Sequence, residues 1–488
     1  MSSENNSKYL PYEPRMEPTD SETLNVKRTI LISFSFMTVL LAWGFFNFKV
    51  PLLLNDILGN NPYRDIIKGI IMALDNLVAV AIQPFFGDLS DRTKSKYGRR
   101  MPFIIIGTVL AIIFFIIIPW MRILIGLIII IFLFDLAMAI FRSASIAILP
   151  DYTSEKMYSK ASAIQQFVAN MGILISFLIP IFINFIPNLS VEWIDRLGFL
   201  IIGLLMLALL IVQILYLKET PTGDKTFQIT QKRLEIDRDS FRAREIEDDL
   251  AKEESKKQKL KSYRDTVKIV KGHKDFAYFL TAVFFMYLAF ASVEAFFSSF
   301  AMEYLGLYDA ALKQTGDEAD AKKMAEAQAG TLFLAYAAPM ILSAFFVGML
   351  GQKVGRKNAV KVFLIWMIVS ISIMSFIVAP LVYHNNQPLL IILILMLISI
   401  PWMGFIVNSF PILWDLAPEG KVGIYTGIYY TFNQTAYTLA PILFGGILFL
   451  FISLGDYRYV VMFPFVLFCT VMGLLFFSRI KGGEPSEN

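Results

Sequence analysis

Five charged residues interrupt long apolar runs: Lys49, Asp75, Asp135, Arg142 and Glu294. Asp135 and Arg142 are seven residues apart, so on a helix they share one face and stand about 10 Å apart along its axis at about 1.5 Å per residue. Burial in hydrocarbon disfavours a carboxylate's charge, while a nearby guanidinium favours it. Such competition suits a group that takes up and releases a proton. Asp135 is the expected main acceptor, with Arg142 answering it or pairing with Asp75 across helices. Asp75 and Glu294 are further proton-handling acids. Lys49 stands near the end of its run, where its long side chain can also snorkel to a polar surface. Polar amides and aromatic rings recur in the same stretches: Trp43, Asn47, Gln165, Gln166, Asn170, Phe297, Trp402, Asn408, Tyr429, Asn433 and Gln434. Amides in a dry environment need partners. With rings beside them they make a concave site for a small polar molecule.

The elements that position these residues follow from hydropathy. The chain of 488 residues is 56% hydrophobic and only 17% charged, whereas a soluble domain carries about a quarter charged residues. Its solvent is therefore lipid. A crossing helix needs about 20 apolar residues, and twelve stretches qualify: 29–54, 65–88, 102–120, 123–149, 161–185, 197–217, 276–304, 329–351, 359–383, 388–416, 424–452 and 459–480. Several contain proline (Pro84, Pro180, Pro339, Pro401, Pro441), which packed membrane helices tolerate. The sequence predicts an all-α integral membrane protein of two six-helix bundles, 28–217 and 276–480. A mixed-charge linker, 218–275, joins them and is expected to form surface helices. Tails at 1–27 and 481–488 flank them, and the first lacks the apolar core of a cleavable signal.

Lys and Arg in short loops set the orientation. Arg92, Lys94, Lys96, Arg99 and Arg100 follow the second span, Lys156 and Lys160 the fourth, and Lys353, Arg356, Lys357 and Lys361 the eighth. Both termini are thus expected in the cytoplasm, in a multi-pass protein of the cell inner membrane. Loop 305–328 is the exception, with Lys313, Lys322 and Lys323 beside three acids, and is placed outside.

The halves repeat one another. Gly87, Asp91, Arg92, Gly98, Arg99 and Arg100 follow the second span; Gly348, Gln352, Lys353, Gly355, Arg356 and Lys357 follow the eighth. Asp151 ends the fourth span as Asp415 ends the tenth. Gly87 and Gly348 are expected to permit close helix approach, Gly98 a tight turn, and the charges a cluster that forms in one conformation and parts in another. Internal symmetry of this kind marks carriers whose bundles rock about a central site.

These motifs resemble the major facilitator superfamily. The runs SDRTKSKYGRRMPFI at 90–104, Phe141-Arg142-Ser143 with Leu149-Pro150-Asp151, Asn408-Ser409-Phe410-Pro411 and Tyr425–Tyr430 resemble the sucrose-transporter-like branch of the glycoside–pentoside–hexuronide:cation symporters. The resemblance covers 28–480 and is closest to prokaryotic members. It implies symport of a glycoside or oligosaccharide with a cation. Asp135 matches the proton-coupling acid of the plant carriers' fourth span. Their arginine eleven residues later is Ile146 here, with Arg142 one turn earlier. The melibiose carriers' paired sodium-binding acids are reduced to Asp75, beside Asn76, which favours protons over sodium. A carrier of another small solute, by export or antiport, is the alternative. A sensor signalling through the linker is a third reading.

The same sequence excludes other classes. A net charge of +4, from 44 basic and 40 acidic residues, is not that of a nucleic-acid binder. No phosphate-cradling loop or nucleophile–base arrangement is present, so neither an enzyme nor a cofactor is expected. The lone cysteine, Cys469, allows no disulfide or cysteine zinc site, and His273 and His384 lack metal-ligand spacing. The expected partners are a sugar, protons (or sodium) and the lipid bilayer, and the expected state is a monomer.

Overall fold

The computed structural model describes residues 24–93, 95, 97–153, 158–217, 272–384, 387–418 and 422–482. Nearly all of the expected linker, most of both tails and the side chains of Asp91 and Arg92 lie outside the described residues. Among the described residues twelve long helices follow one another: α1 Val26–Leu58, α2 Arg64–Arg92, α3 Met101–Trp120, α4 Leu124–Asp151, α5 Tyr158–Asn184, α6 Val191–Tyr216, α7 Lys274–Tyr304, α8 Glu318–Val354, α9 Arg356–Val382, α10 Pro388–Leu416, α11 Val422–Leu450 and α12 Met462–Phe477. A short helix, Leu307–Thr315, precedes α8, and a 3₁₀ stretch, Ile452–Val461, leads into α12. Among the described residues ten of the long helices have the length and apolarity to cross a membrane. The other two, α2 and α11, are 29 residues each and complete the set.

The packing has an internal rule. In the first half α1 packs on α5 and α6, α2 on α4, and α3 on α4 and α6. Adding six to every index gives the second half: α7 on α11 and α12, α8 on α10, and α9 on α10 and α12. The halves meet through α1 with α7, α2 with α11, and α5 with α8. A two-fold axis through the α1–α7 contact exchanges the last two pairs. The repeat read from the loops is thus a repeat of the packing.

One span is longer than its hydropathy indicated. The apolar run predicted a start at 329, but α8 begins at Glu318, where the Asp317 carboxylate accepts the backbone N–H groups of Ala319 and Asp320. Side-chain capping of this kind fixes a helix start. The alanine-rich turns that follow favour helix, so Lys322, Lys323 and Glu326 are helical and not loop residues.

Three glycine contacts set the seam between the halves. Where α2 crosses α11, the Pro441 carbonyl occupies the place of a Cβ on Gly69, and the Asp65 carbonyl that of one on Gly445. Where α5 crosses α8, a Cβ on Gly330 would lie 2.8 Å from the Phe177 carbonyl. At Gly87 nothing among the described residues lies within 4 Å of its Cβ position. At Gly348 the neighbour is Val407, at 3.3 Å, and the tighter contact in that region is Gly351 against the Asn408 amide.

Candidate functional site

At the end carrying the basic loops, the charges pair within each half. Arg99 reaches Asp151 at 2.6 Å, and Arg100 holds Asp151 at 2.8 Å and also the Ser90 hydroxyl. In the second half Arg356 reaches Asp415 at 3.0 Å. Gly98 and Gly355, each just before its arginine, both have φ of +89°, a backbone region open mainly to glycine. The tight turn expected at Gly98 is therefore present and repeated. Gln352 is exposed.

The opposite, distal end is tied across the halves. Between described residues, the hydrogen bonds and ion pairs joining the halves start at Asn47–Glu294 and run outward from it. Lys49 is buried, not snorkelling, and lies 2.6 Å from Asp195 of α6 and 2.5 Å from Glu326 of α8. Lys322 reaches Asp195 at 2.8 Å, and Lys323 donates to the Ile186 carbonyl at 2.9 Å. A second cluster joins α2 to the other half: Arg64 to Glu303 at 2.5 Å, and Arg458 to Asp65 at 2.8 Å. Lys68, fully buried, reaches Asp65 at 3.3 Å, Asn55 at 2.7 Å and Ser299 at 2.9 Å. Glu294 is thus not the only deep acid of the second half, because Glu326 is buried too.

The middle of the molecule is the reverse. Both Asp135 oxygens, Arg142 Nε, Trp43 Nε1, Gln165 Nε2 and Asn433 Oδ1 are buried without a hydrogen-bond partner. Buried polar groups are ordinarily paired, so these residues form the candidate ligand site; Arg196 Nε, Ser298 Oγ and Gln328 Oε1 are further buried polar atoms of the same kind. The residues come from α1, α4, α5 and α11. Asp75, whose Oδ1 accepts from Asn76 at 2.6 Å, lies in the electrostatic reach of Glu294, Arg142 and Asp135. Arg142 forms no ion pair with Asp135 among the described residues; its charged neighbour is Asp75, across helices. Asn47 donates to Glu294 at 2.8 Å, linking α1 to α7.

Several expected ligand contacts are otherwise engaged. Asn408 gives its amide hydrogens to the Gly404 and Val347 carbonyls, at 2.8 and 3.3 Å. One face of Trp402 is covered by Phe290, parallel at 4.7 Å between ring centres. Tyr429 is buried with its hydroxyl 3.2 Å from that of Tyr287. Phe297 packs on Phe300 and Phe333. Asn170 donates to the Gln166 carbonyl at 2.8 Å, and the Gln166 side chain is exposed. Gln434 is half-buried. Asp65, Lys68, Asp195, Glu303, Glu326 and Arg458 were not legible as site residues, since they sit near helix ends, where charges are ordinary. The one available signal was Lys49, a cation within an apolar run that demands an acid from elsewhere.

The Major Facilitator Superfamily model matches residues 32–317 and 312–488. No curated protein matches the sequence. Among solved structures, a bacterial homolog of the human lysosomal transporter Spinster, inward-facing and unoccupied, is similar with a TM-score of 0.66 at 12% identity, over 96% of this chain and 100% of that one. A mutant of the nucleoside transporter NupG gives 0.65 at 11% identity, over 94% and 100%. A POT family transporter in complex with 5-aminolevulinic acid gives 0.56 at 15%, over 93% and 96%. At such identities the likeness is one of fold. With twelve helices in two halves related by one packing rule and polar residues buried between them, the chain belongs to the Major Facilitator Superfamily and is a multi-pass membrane transporter of the secondary class.

Proposed function

We propose that this transporter is a proton-coupled symporter of a glycoside or oligosaccharide, of the sucrose-transporter-like branch, working by alternating access. The observation that carries this reading is the set of unpartnered polar atoms in the middle of the molecule. Trp43 Nε1, Gln165 Nε2 and Arg142 Nε are donors; Asn433 Oδ1 and the Asp135 oxygens are acceptors. A polyhydroxylated ligand satisfies both kinds, because each hydroxyl donates one hydrogen bond and accepts others. Among the described residues Asp135 has no cation of its own, so a proton is the natural partner for its charge in a dry site. Asp75 and Glu294 complete the acidic set, with Arg142 as their counter-charge. In this reading the bundles 28–217 and 276–480 rock about the central site as a monomer in the inner membrane, and the basic end faces the cytoplasm. The distal end, tied across the halves, then corresponds to a state closed on the side away from the basic loops.

A carrier of another small solute is the alternative. It draws on Trp402 and Asn408, which are packed inside the second half and leave fewer groups for a sugar. The test is a substrate panel in proteoliposomes under an imposed pH or sodium gradient: maltose, sucrose, melibiose and their component sugars. Accumulation of one of them under the pH gradient supports the proposal. Accumulation of none under either gradient removes the glycoside assignment.

A further inference from the structure

The distal charges can be sorted by the half that carries them. In the first cluster, Lys49 of α1 and Asp195 of α6 belong to the first half; Lys322 and Glu326, both on α8, belong to the second. At the centre of the cluster each half therefore supplies one cation and one acid; at its edge stand Asp56 of α1, an exposed carboxylate, and Lys323 of α8, which pairs with Asp320 of its own helix at 2.7 Å. In the closed arrangement three pairs cross the seam: Lys49–Glu326, Lys322–Asp195 and, at 3.4 Å, Lys322–Asp56. If the halves part, neither charge need be stranded. Lys49 is already 2.6 Å from Asp195 within its own half. Lys322 and Glu326 are four residues apart on one helix, the spacing at which opposite charges meet.

The second cluster also pairs charges both across the seam and within each half, although its first half holds two cations, Arg64 and Lys68, against the one acid Asp65. Arg458–Asp65 and Arg64–Glu303 cross the seam. Within the halves, Arg458 already lies 3.2 Å from Glu303, and Asp65 lies 3.3 Å from Lys68 and 3.9 Å from Arg64. Each crossing pair thus has a substitute on its own side.

We infer that the distal gate is a partner-exchange latch: opening trades the seam-crossing ion pairs of Lys49, Asp195, Lys322 and Glu326 for pairs inside each half, so the gate moves without exposing an unpaired charge to the low-dielectric seam. The physical reason is the cost of an orphan. Breaking a buried pair by removing one partner is far more costly than exchanging partners. This inference rests on the alternating-access part of the proposed function and is independent of the substrate.

The latch makes a prediction opposite in sign to that of a simple lock. If the crossing pairs only held the gate shut, neutralising any member would favour the open state. With exchange, a single neutralisation leaves an odd charge. While the gate is closed that charge is shared by both halves, and on opening it is isolated in one, so the closed state gains. The exposed positions Asn60 and Lys313 take spin labels through introduced cysteines, since Cys469 is buried. The distance between them, measured by pulsed electron resonance in proteoliposomes, reports the closed-to-open ratio. Lys322→Gln, at the more accessible edge of the cluster, is expected to raise that ratio at least about tenfold, below the full cost of a wholly buried orphan charge because Lys322 is partly exposed. Lys322→Gln combined with Glu326→Gln restores one cation and one acid and is expected to return the ratio to near the parent value. A lower or unchanged ratio in the single variant, or further opening in the double, overturns the latch and leaves alternating access standing. A single fixed distance in the parent protein contradicts alternating access, and the latch with it.

Discussion

The distal end and the middle of this molecule bury the same kinds of side chain under opposite conditions. At the distal end Lys49, Asp195 and Glu326 are all buried, and each charge has a partner within 2.6 Å. In the middle Asp135 is equally buried, and neither of its oxygens has one. A saturated charge cluster is a structural device: it holds two halves in register, and its members cannot be removed singly without leaving an orphan. An unsaturated one awaits a proton or ligand and can be altered with little structural cost. The difference separates what holds a conformation from what binds cargo.

Five substitutions test that division and the repeat, from the largest expected effect to the smallest. Asp135→Asn is expected to reduce pH-driven accumulation at least about a hundredfold, since an amide cannot carry the coupled proton. Its thermal stability in detergent is expected to hold or rise, because no ion pair is lost. A clear drop in melting temperature would move Asp135 into the structural class. Lys49→Met is expected to do the reverse at first order. It leaves Asp195 and Glu326 with Lys322 as their remaining cation, and should cost about 3 kcal/mol of stability, read as a lowered denaturation midpoint. An unchanged midpoint would mean that the Lys49 cluster contributes nothing to the fold.

Asn47→Ala removes the amide that bridges to Glu294 at the boundary of the two regions. A lost hydrogen bond to a charged group is worth about 1.5–3 kcal/mol, so stability is expected to fall by about that much or less, and the apparent affinity for transported sugar is expected to weaken as Glu294 loses its positioning partner. Unchanged affinity would place Asn47 with the distal ties. The smallest effect is at the basic end. Gly98→Ala or Gly355→Ala puts a side chain at φ of +89° and should cost about 1 kcal/mol, equally in the two halves if the repeat is one of structure. A marked inequality between the two melting shifts would show that the turns differ in role.

The legible part of this structure was the part written in local pattern. Hydropathy gave the helices, and the Gly-Arg-Arg and Gly-Arg-Lys turns gave the repeat, because both are properties of neighbouring residues. Asp75, Asp135 and Glu294 stood out because an acid in an apolar run has no local explanation. The distal clusters were hidden for the opposite reason. Asp65, Lys68 and Asp195 lie within the first turns of their helices, and Lys322 and Glu326 in turns polar enough to read as a loop. Nothing in a single sequence separates a solvated charge at a helix start from one that meets a partner more than a hundred residues away. A glycine such as Gly87 shows that close contact is possible, not in which conformation it is made.

The central claim is that Asp135 carries the proton that drives accumulation. It is tested most directly by comparing two modes of transport in the same proteoliposomes, with whichever sugar of the panel the parent protein accumulates. The expected result for Asp135→Asn is that sugar-for-sugar exchange continues at a rate near the parent's, while accumulation against a gradient under an imposed pH difference is lost. Accumulation at the parent level by this variant, across the pH range, would contradict the account.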